Sequence, residues 1–410
     1  MKKLNILISA YACNPYLGSE NQVGWNIVYR LSKFHNLTVL TEYSNKKNIN
    51  IFFNNKKNKI KFHFIKRKRY FFLEKLWPPS YYWSYKTWQK KAFKKTTEID
   101  LKKIDLCHQL NMIGLREPGY LWKLNIPFIY GPIGGLSFYS KKLMFNSGIF
   151  IFIYSLFYNL IRFLDIKFAF RSKSALYKAG NFVLAANSDT QKNLKKYFKV
   201  NSNLFLPVGN ENKIIDITKF KKKKNQIDIF WGGLHIPRKS LNIGLEALSK
   251  LPSNINWKLH ITGKGKLSNE WKNLSIKKNI DKKCIFYGYL KNKKDLPKIM
   301  KKCDIHLFTS IKEDTPAIIM ETMTLGLPTI CFDLYGAKDL VNQKRGIKII
   351  PNYNYNQNIL NFKKAILKII NSKQKKIYFA KNCQNFSKEN TWDNKISILN
   401  FYYQKIKKLN

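Results

Sequence analysis

Two carboxylates eight positions apart, Glu313 and Glu321, stand in a stretch suited to holding a charged, hydroxylated ligand. Residues 305–308 form a short apolar run of the kind that makes a buried parallel strand. Thr315 is placed to cap a helix, and Pro316 falls at its first position, where a missing N–H costs nothing. Gly326 supplies the stop, with Pro328 two residues beyond. Between Pro316 and Phe332 the only charged residue is Glu321, and a carboxylate in so apolar a helix is costly unless something pairs with it or hydrogen-bonds it. The start of the helix, at Thr315, Pro316 and Ala317, offers a positive dipole end and N–H groups that suit a phosphate. Carboxylates for hydroxyl groups beside a helix end for an anion are what a sugar nucleotide requires.

The spacing Glu-x7-Glu, followed by Thr-Met-Thr-Leu-Gly-Leu-Pro, resembles the signature of the retaining family 4 glycosyltransferases. The resemblance implies the GT-B fold: α/β, with two Rossmann-like parallel-sheet domains facing a central cleft. It implies that Glu313 contacts the donor sugar and Glu321 the nucleotide ribose; the plain alternative is a helix Glu paired with a neighbouring Lys. Gly-Leu-His-Ile-Pro-Arg-Lys, ending at Lys239, is similar to the family's phosphate clamp. Lys239 matches the clamp lysine, with Arg238 beside it. Gly233 stands where the family usually has Arg, and Ser240 where it has Gly, so either Lys264 or Arg238 substitutes for the missing cation or donor binding is weakened. In so basic a chain, Arg238 and Lys239 also read as a solvated turn. Gly263 and Lys264 belong to a Gly-Lys-Gly-Lys turn that the family pattern also carries. The loop holding Gly18, Ser19 and Glu20 is similar to the family's acceptor-side loop, while Ser19 and Gln22 also fit a capping box. His108 occupies the place after Asp-apolar-apolar where the family often has a His and is a candidate for catalysis, although some members carry the catalytic-site His two residues later, where this chain has Leu110. A satisfied core histidine is the alternative.

Several elements must position these residues. Residues 4–10 and 37–41 read as strands joined by a helix that runs to about residue 34, the opening of a Rossmann-like half. Further strands are expected at 105–111, 126–135 and 182–188, with Ser188 or Asp189 capping the helix after the last. The polar residues 211–225 read as a linker. Strands at 227–232, 257–262, 284–287, 305–308 and 347–350 then alternate with helices, which points to a second parallel sheet. The expected organisation is an amino-terminal acceptor domain over residues 1–206, a nucleotide-sugar domain over 207–385, and a helix over 386–410 that crosses back to the first domain as in GT-B proteins.

A formal charge of +51 attracts anionic lipid, polyphosphate or nucleic acid in a salt-dependent way, although part of the lysine excess reflects coding bias. Residues 56–70 are strongly basic and run into an aromatic segment, a mixture suited to a membrane interface, to single-stranded nucleic acid, or to a strand with solvated lysines. The apolar run 147–164 approaches spanning length, but Asn159 and Arg162 interrupt it, which favours a buried or interface-lying helix. Six scattered cysteines without a C-x-x-C read as reduced thiols, and the basic, apolar start reads as a first strand rather than a signal peptide. The expectation is a cytoplasmic enzyme, peripheral on the inner face of the membrane. It would take a nucleotide-sugar donor and a glycan or lipid-linked acceptor such as lipopolysaccharide, with no specific nucleic acid, no cofactor and no metal, there being no Asp-x-Asp pair. The rival readings are a sugar-nucleotide epimerase, a polyanion-binding protein, and a glycosyltransferase-like module without activity.

Overall fold

The computed structural model describes residues 2–54, 59–68, 72, 74, 80–144, 149–211, 226–292 and 294–409. Most of the basic-aromatic stretch after residue 68, and residues 212–225 of the expected linker, lie outside them. The chain forms two compact units: Met1–Ser137, Phe163–Pro207 and Trp392–Asn410 in the first, Phe138–Arg162 and Val208–Thr391 in the second.

The first unit is built on β1 (Asn5–Ala10), β2 (Asn36–Glu42), β3 (Ile60–Ile65), β4 (Leu106–Asn111), β5 (Phe128–Ile133), β6 (Val183–Ala185) and β7 (Asn203–Leu204). Every pairing is parallel, in the order β3-β2-β1-β4-β5-β6-β7. The sequence of β1 is nearly all apolar because both faces are covered. Ile6, Ile8 and Ala10 pack on one side with Trp25, Val28 and Trp392, while Leu7 packs on the other with Tyr85 and Trp88.

The second unit carries β8 (Ile227–Gly232), β9 (Trp257–Thr262), β10 (Cys284–Gly288), β11 (Ile305–Phe308), β12 (Thr329–Phe332) and β13 (Gly346–Ile349). These are again all parallel, in the order β10-β9-β8-β11-β12-β13. In each sheet the strand order reverses once, between β1 and β4 and between β8 and β11. The loops that leave the carboxyl ends of strands at such a reversal line the ligand crevice of open α/β sheets.

The unit boundaries differ from the expected ones by one residue at Pro207 and at two longer stretches, which side-chain contacts explain. Residues 138–162 join the second unit because Tyr139, Leu143 and Met144, with Ile151, Phe152 and Tyr158 against them, pack into its core beside Trp231 and Leu241. Residues 386–391 also stay there: Asn210 Nδ2 donates to Ser387 O at 2.7 Å, and the Thr324 and Ser387 hydroxyls meet at 2.9 Å. The final helix, Trp392–Leu409, belongs to the first unit, where it buries Trp392, Ile396, Leu399, Tyr403 and Ile406. The helix after β6 is capped by Asn187, whose side chain accepts from Thr190 N at 2.8 Å, one residue earlier than expected. The apolar run forms the helix Ile149–Lys167, and among the described residues no helix is long and apolar enough to cross a membrane.

Candidate active site

The loops after β8 and β11 meet at the strand-order reversal of the second sheet, and backbone chemistry stitches them together. Ile311 N donates to Arg238 O at 2.8 Å, and Arg238 Nη1 donates to Lys312 O at 3.0 Å. Thr309 Oγ1 donates to Lys239 O at 2.8 Å and accepts from the Trp231 indole at 3.0 Å. These bonds carry three charged groups into one cluster. Lys239 Nζ lies 2.7 Å from Glu313 Oε1, and Arg238 Nη1 pairs with the same oxygen. Lys239 is buried, so desolvation pulls its ammonium pKa down; Glu313 opposes that pull and Arg238 adds to it. The Lys239 ammonium also stands over the Phe308 ring at 5.6 Å. The cluster is thus a buried cation held by a half-buried carboxylate, with a more exposed guanidinium beside it.

The glycines next to this cluster are there for space. A Cβ on Gly263, whose φ is +112°, would lie 1.9 Å from Gly233 O. One on Gly233 would meet Lys239 Cδ and Cε at 3.3 Å, so the lysine chain would have to shift by a few tenths of an ångström. Ser240 adopts φ +46°, ψ +47°, which explains why glycine suits the position; serine there costs on the order of 1 kcal/mol. Lys264 holds the turn through its carbonyl, which accepts from His235 N at 3.3 Å, and its side chain is exposed.

The carboxylate loop feeds the helix Ala317–Thr324. Its N-cap is Pro316 in an extended conformation without a side-chain cap bond, so Thr315 does not cap it as expected. The far end closes as read: Gly326 takes φ +76°, with Gly326 N donating to Met323 O and Leu327 N to Thr322 O, a Schellman stop. Glu321 is exposed, while Ile319, Met320 and Met323 turn inward. The expected burial penalty on that carboxylate therefore does not arise; the helix hides its apolar side and presents Glu321 to solvent.

Two residues that sequence reasoning missed complete the loop's surroundings. Lys312 Nζ stands 4.1 Å from the centroid of the Tyr335 ring and 3.8 Å from Asp314 Oδ1. Tyr335 donates its hydroxyl to Phe138 O at 2.7 Å and accepts from Ser140 N at 3.1 Å. Only the neighbouring Glu313 could have flagged Lys312, and nothing in the sequence flags Tyr335.

The first-unit candidates have other occupations. Ser19 precedes the helix Glu20–Leu31 at φ +56° without a side-chain cap bond, so no capping box forms. Glu20 Oε2 accepts from Ile113 N at 3.1 Å, and Gly18 is exposed. His108 is fully buried: Nε2 lies 2.7 Å from Gly131 O and so donates to it, leaving Nδ1 to accept from the Tyr403 hydroxyl at 2.7 Å. With both nitrogens used, His108 is a core histidine and not the catalytic residue expected. A satisfied imidazole between strand and final helix has no lone pair for a substrate.

Burial lowers the His108 pKa to about 4, and that of His306, on β11, to about 3. An unfolded chain takes up these protons near pH 6.5, so the stability involved is complete above 6.5 and is lost as pH falls toward 4. By pH 5.5 each unit should be less stable by on the order of 1 kcal/mol, with a thermal midpoint a few degrees below that at pH 7.5. A midpoint level across that interval would contradict both neutral imidazoles.

Among the described residues no group of three or more His, Cys, Asp or Glu is placed to hold a metal ion. Residues 212–388 match the family described as Glycosyl transferases group 1. No curated protein matches the chain. Among solved structures, Anabaena Alr3699/HepE in complex with UDP and glucose is 14% identical, with TM-score 0.66, covering 98% of this chain and 100% of that one. Sucrose-phosphate synthase from Thermosynechococcus elongatus is 13% identical, with TM-score 0.67 and complete coverage of both chains. WaaG, a glycosyltransferase involved in lipopolysaccharide biosynthesis, is 15% identical, with TM-score 0.58, covering 96% and 98%. At these identities the likeness establishes the GT-B fold.

Proposed function

We propose that this chain, a glycosyltransferase carrying a group 1 domain, moves a sugar with retention from a nucleoside diphosphate donor to a hydroxyl of a lipid-linked surface glycan. The observation that carries the proposal is the triad of Arg238, Lys239 and Glu313 at the reversal of the second sheet. In this reading the diphosphate takes the two cations and the amino end of the helix Ala317–Thr324, which together stabilise the charge that builds on the leaving group. Glu313, exchanged off those cations, accepts hydrogen bonds from the donor sugar, and Glu321 accepts from the ribose. Neither role calls for a metal. The acceptor side belongs to the first unit, where Gly18 and Ser19 are the exposed members of the candidate loop and Glu20 holds it to Ile113. UDP-glucose is the first donor to try and UDP the first product ligand, both being what Alr3699/HepE is shown with. The acceptor class draws on WaaG and on the galactosyltransferase WaaB of the lipopolysaccharide outer core. A cytoplasmic, membrane-peripheral setting fits such an acceptor.

The test pairs two variants with two ligands. Lys239→Ala should weaken UDP by about 1.5–3 kcal/mol and leave uridine unchanged, since a charge-assisted bond to phosphate is what disappears. Glu321→Ala should weaken UDP and uridine alike, by roughly the same amount. Calorimetry on all four combinations decides. Equal loss for both ligands in Lys239→Ala would show a lysine that supports the fold, and unaltered binding in both variants would remove the site. The anomeric configuration of the product, read by NMR, tests retention separately.

A further inference from the structure

The helix Ile149–Lys167 is built inside out. An amphipathic helix of a globular protein turns its apolar stripe to the core. Here Ile149 (63% exposed), Ile153, Leu156, Phe157 (61% exposed), Leu160 and Leu164 all face solvent. At about 100° per residue they fall within an arc of roughly 120°, along a helix about 28 Å long. The polar groups are turned off this arc. Asn159 accepts from Tyr139 N at 2.8 Å and donates to Tyr139 O at 3.3 Å. Arg162 donates to the Tyr158 hydroxyl at 2.8 Å, and Asp165 binds Arg116 through both oxygens, at 2.9 and 2.6 Å. Lys167 closes the arc, followed by exposed Phe168 and Phe170 and then exposed Lys173 and Lys178 on the next helix. A contiguous apolar patch of this size on a soluble unit marks an interaction surface.

We propose that this outward face is a lipid-docking face that lies in the headgroup boundary of an anionic bilayer. Three observations choose the occupant. The helix does not meet the requirements of a membrane span, so its apolar arc has to lie along a surface rather than cross it. Lysines flank the arc and no acidic group lies on it, which is complementary to anionic headgroups. A second copy of the chain would bring another +51 against the first, so like charge disfavours self-association through this face. The inner side of the same helix ties the surface to the candidate site within one unit. Tyr158 stacks edge-on with Tyr139 at 5.1 Å, and its ring lies 5.9 Å from the Lys312 ammonium, next to Glu313. Ile149, Ile153, Leu156, Phe157 and Leu160 of this face therefore belong to the donor-side unit and Leu164 with the lysines that follow to the first, whereas the sequence placed membrane attachment wholly in the amino-terminal half. That consequence for transfer rests on the function proposed above; the docking itself does not.

Flotation of the full-length protein with phosphatidylcholine vesicles, with and without phosphatidylglycerol, is the test. Wild-type protein should float with the anionic vesicles and much less with the neutral ones. The triple variant I153S/F157S/L160S, which removes only exposed side chains, should lose roughly tenfold or more of that binding. Its UDP affinity, measured in the same preparation, should match wild type, which keeps a failure of this face distinct from a failure of the donor site. Wild type that stays with the soluble fraction, or a triple variant that floats as wild type does, overturns the proposal. So does a triple variant that, without lipid, converts a sedimenting dimer to a monomer, since the face would then be a subunit interface.

Discussion

Glu313→Gln is expected to lower kcat by about 10²–10³ while leaving UDP bound as tightly as in wild type, or a few-fold more tightly. The two effects have one cause. The carboxylate is engaged by Lys239 at 2.7 Å and by Arg238, the same two cations that a diphosphate would take. Neutralising it frees them for UDP, which has no sugar to hold. It also removes the acceptor that, in the proposed mechanism, grips the donor sugar as charge develops at its anomeric carbon. Because Glu313 supports the charged form of buried Lys239, its loss also lowers the lysine's pKa further. Any gain in UDP affinity should therefore fade toward high pH. Turnover and UDP calorimetry on the purified variant check this. A variant that loses UDP binding and turnover in equal measure would make Glu313 a part of the scaffold and contradict the assignment.

Gly263→Ala should be the most damaging single methyl group in the second unit. Its Cβ would sit 1.9 Å from Gly233 O, at a φ of +112° that an L-residue rarely adopts. Backbone strain and overpacking together put the cost at about 3–5 kcal/mol, or roughly 10 °C in the unit's thermal midpoint. Relief would come by pushing Gly233 away from β9, and the Lys239 side chain rests against Gly233. UDP affinity should accordingly fall with stability. A control is Gly288→Ala, where φ is also positive but nothing lies near the added carbon; it should cost only about 1 kcal/mol and spare the site. Thermal unfolding of the two variants, followed by UDP titration at a temperature where both are folded, separates them. Equal midpoints would mean that the close approach of Gly263 to Gly233 is not a constraint on the fold.

By itself the sequence determined what depends on neighbours along the chain. Apolar runs such as residues 227–232 and 305–308 are of strand length and bounded by turn residues, and their alternation with helices points to parallel sheets. Gly326 stops its helix because only glycine enters the left-handed turn at no cost, and that stop formed as read. Tertiary structure decided what depends on distant partners. The partners of His108 are Tyr403, from the final helix, and Gly131, so no local pattern could tell a core imidazole from a catalytic one. Ser19 carries the right residue type for a cap but the wrong backbone, since it takes φ +56° at the start of its helix. Residues 138–162 read as part of the first half because they precede its last strands, yet Tyr139, Tyr158 and Ile151 find their cover on the second sheet. The orientation of the helix Ile149–Lys167 was equally closed to inspection, because an apolar arc is ordinarily the core-facing side and here it faces solvent. Composition sets how much apolar surface a segment carries; only packing sets which part of it stays uncovered.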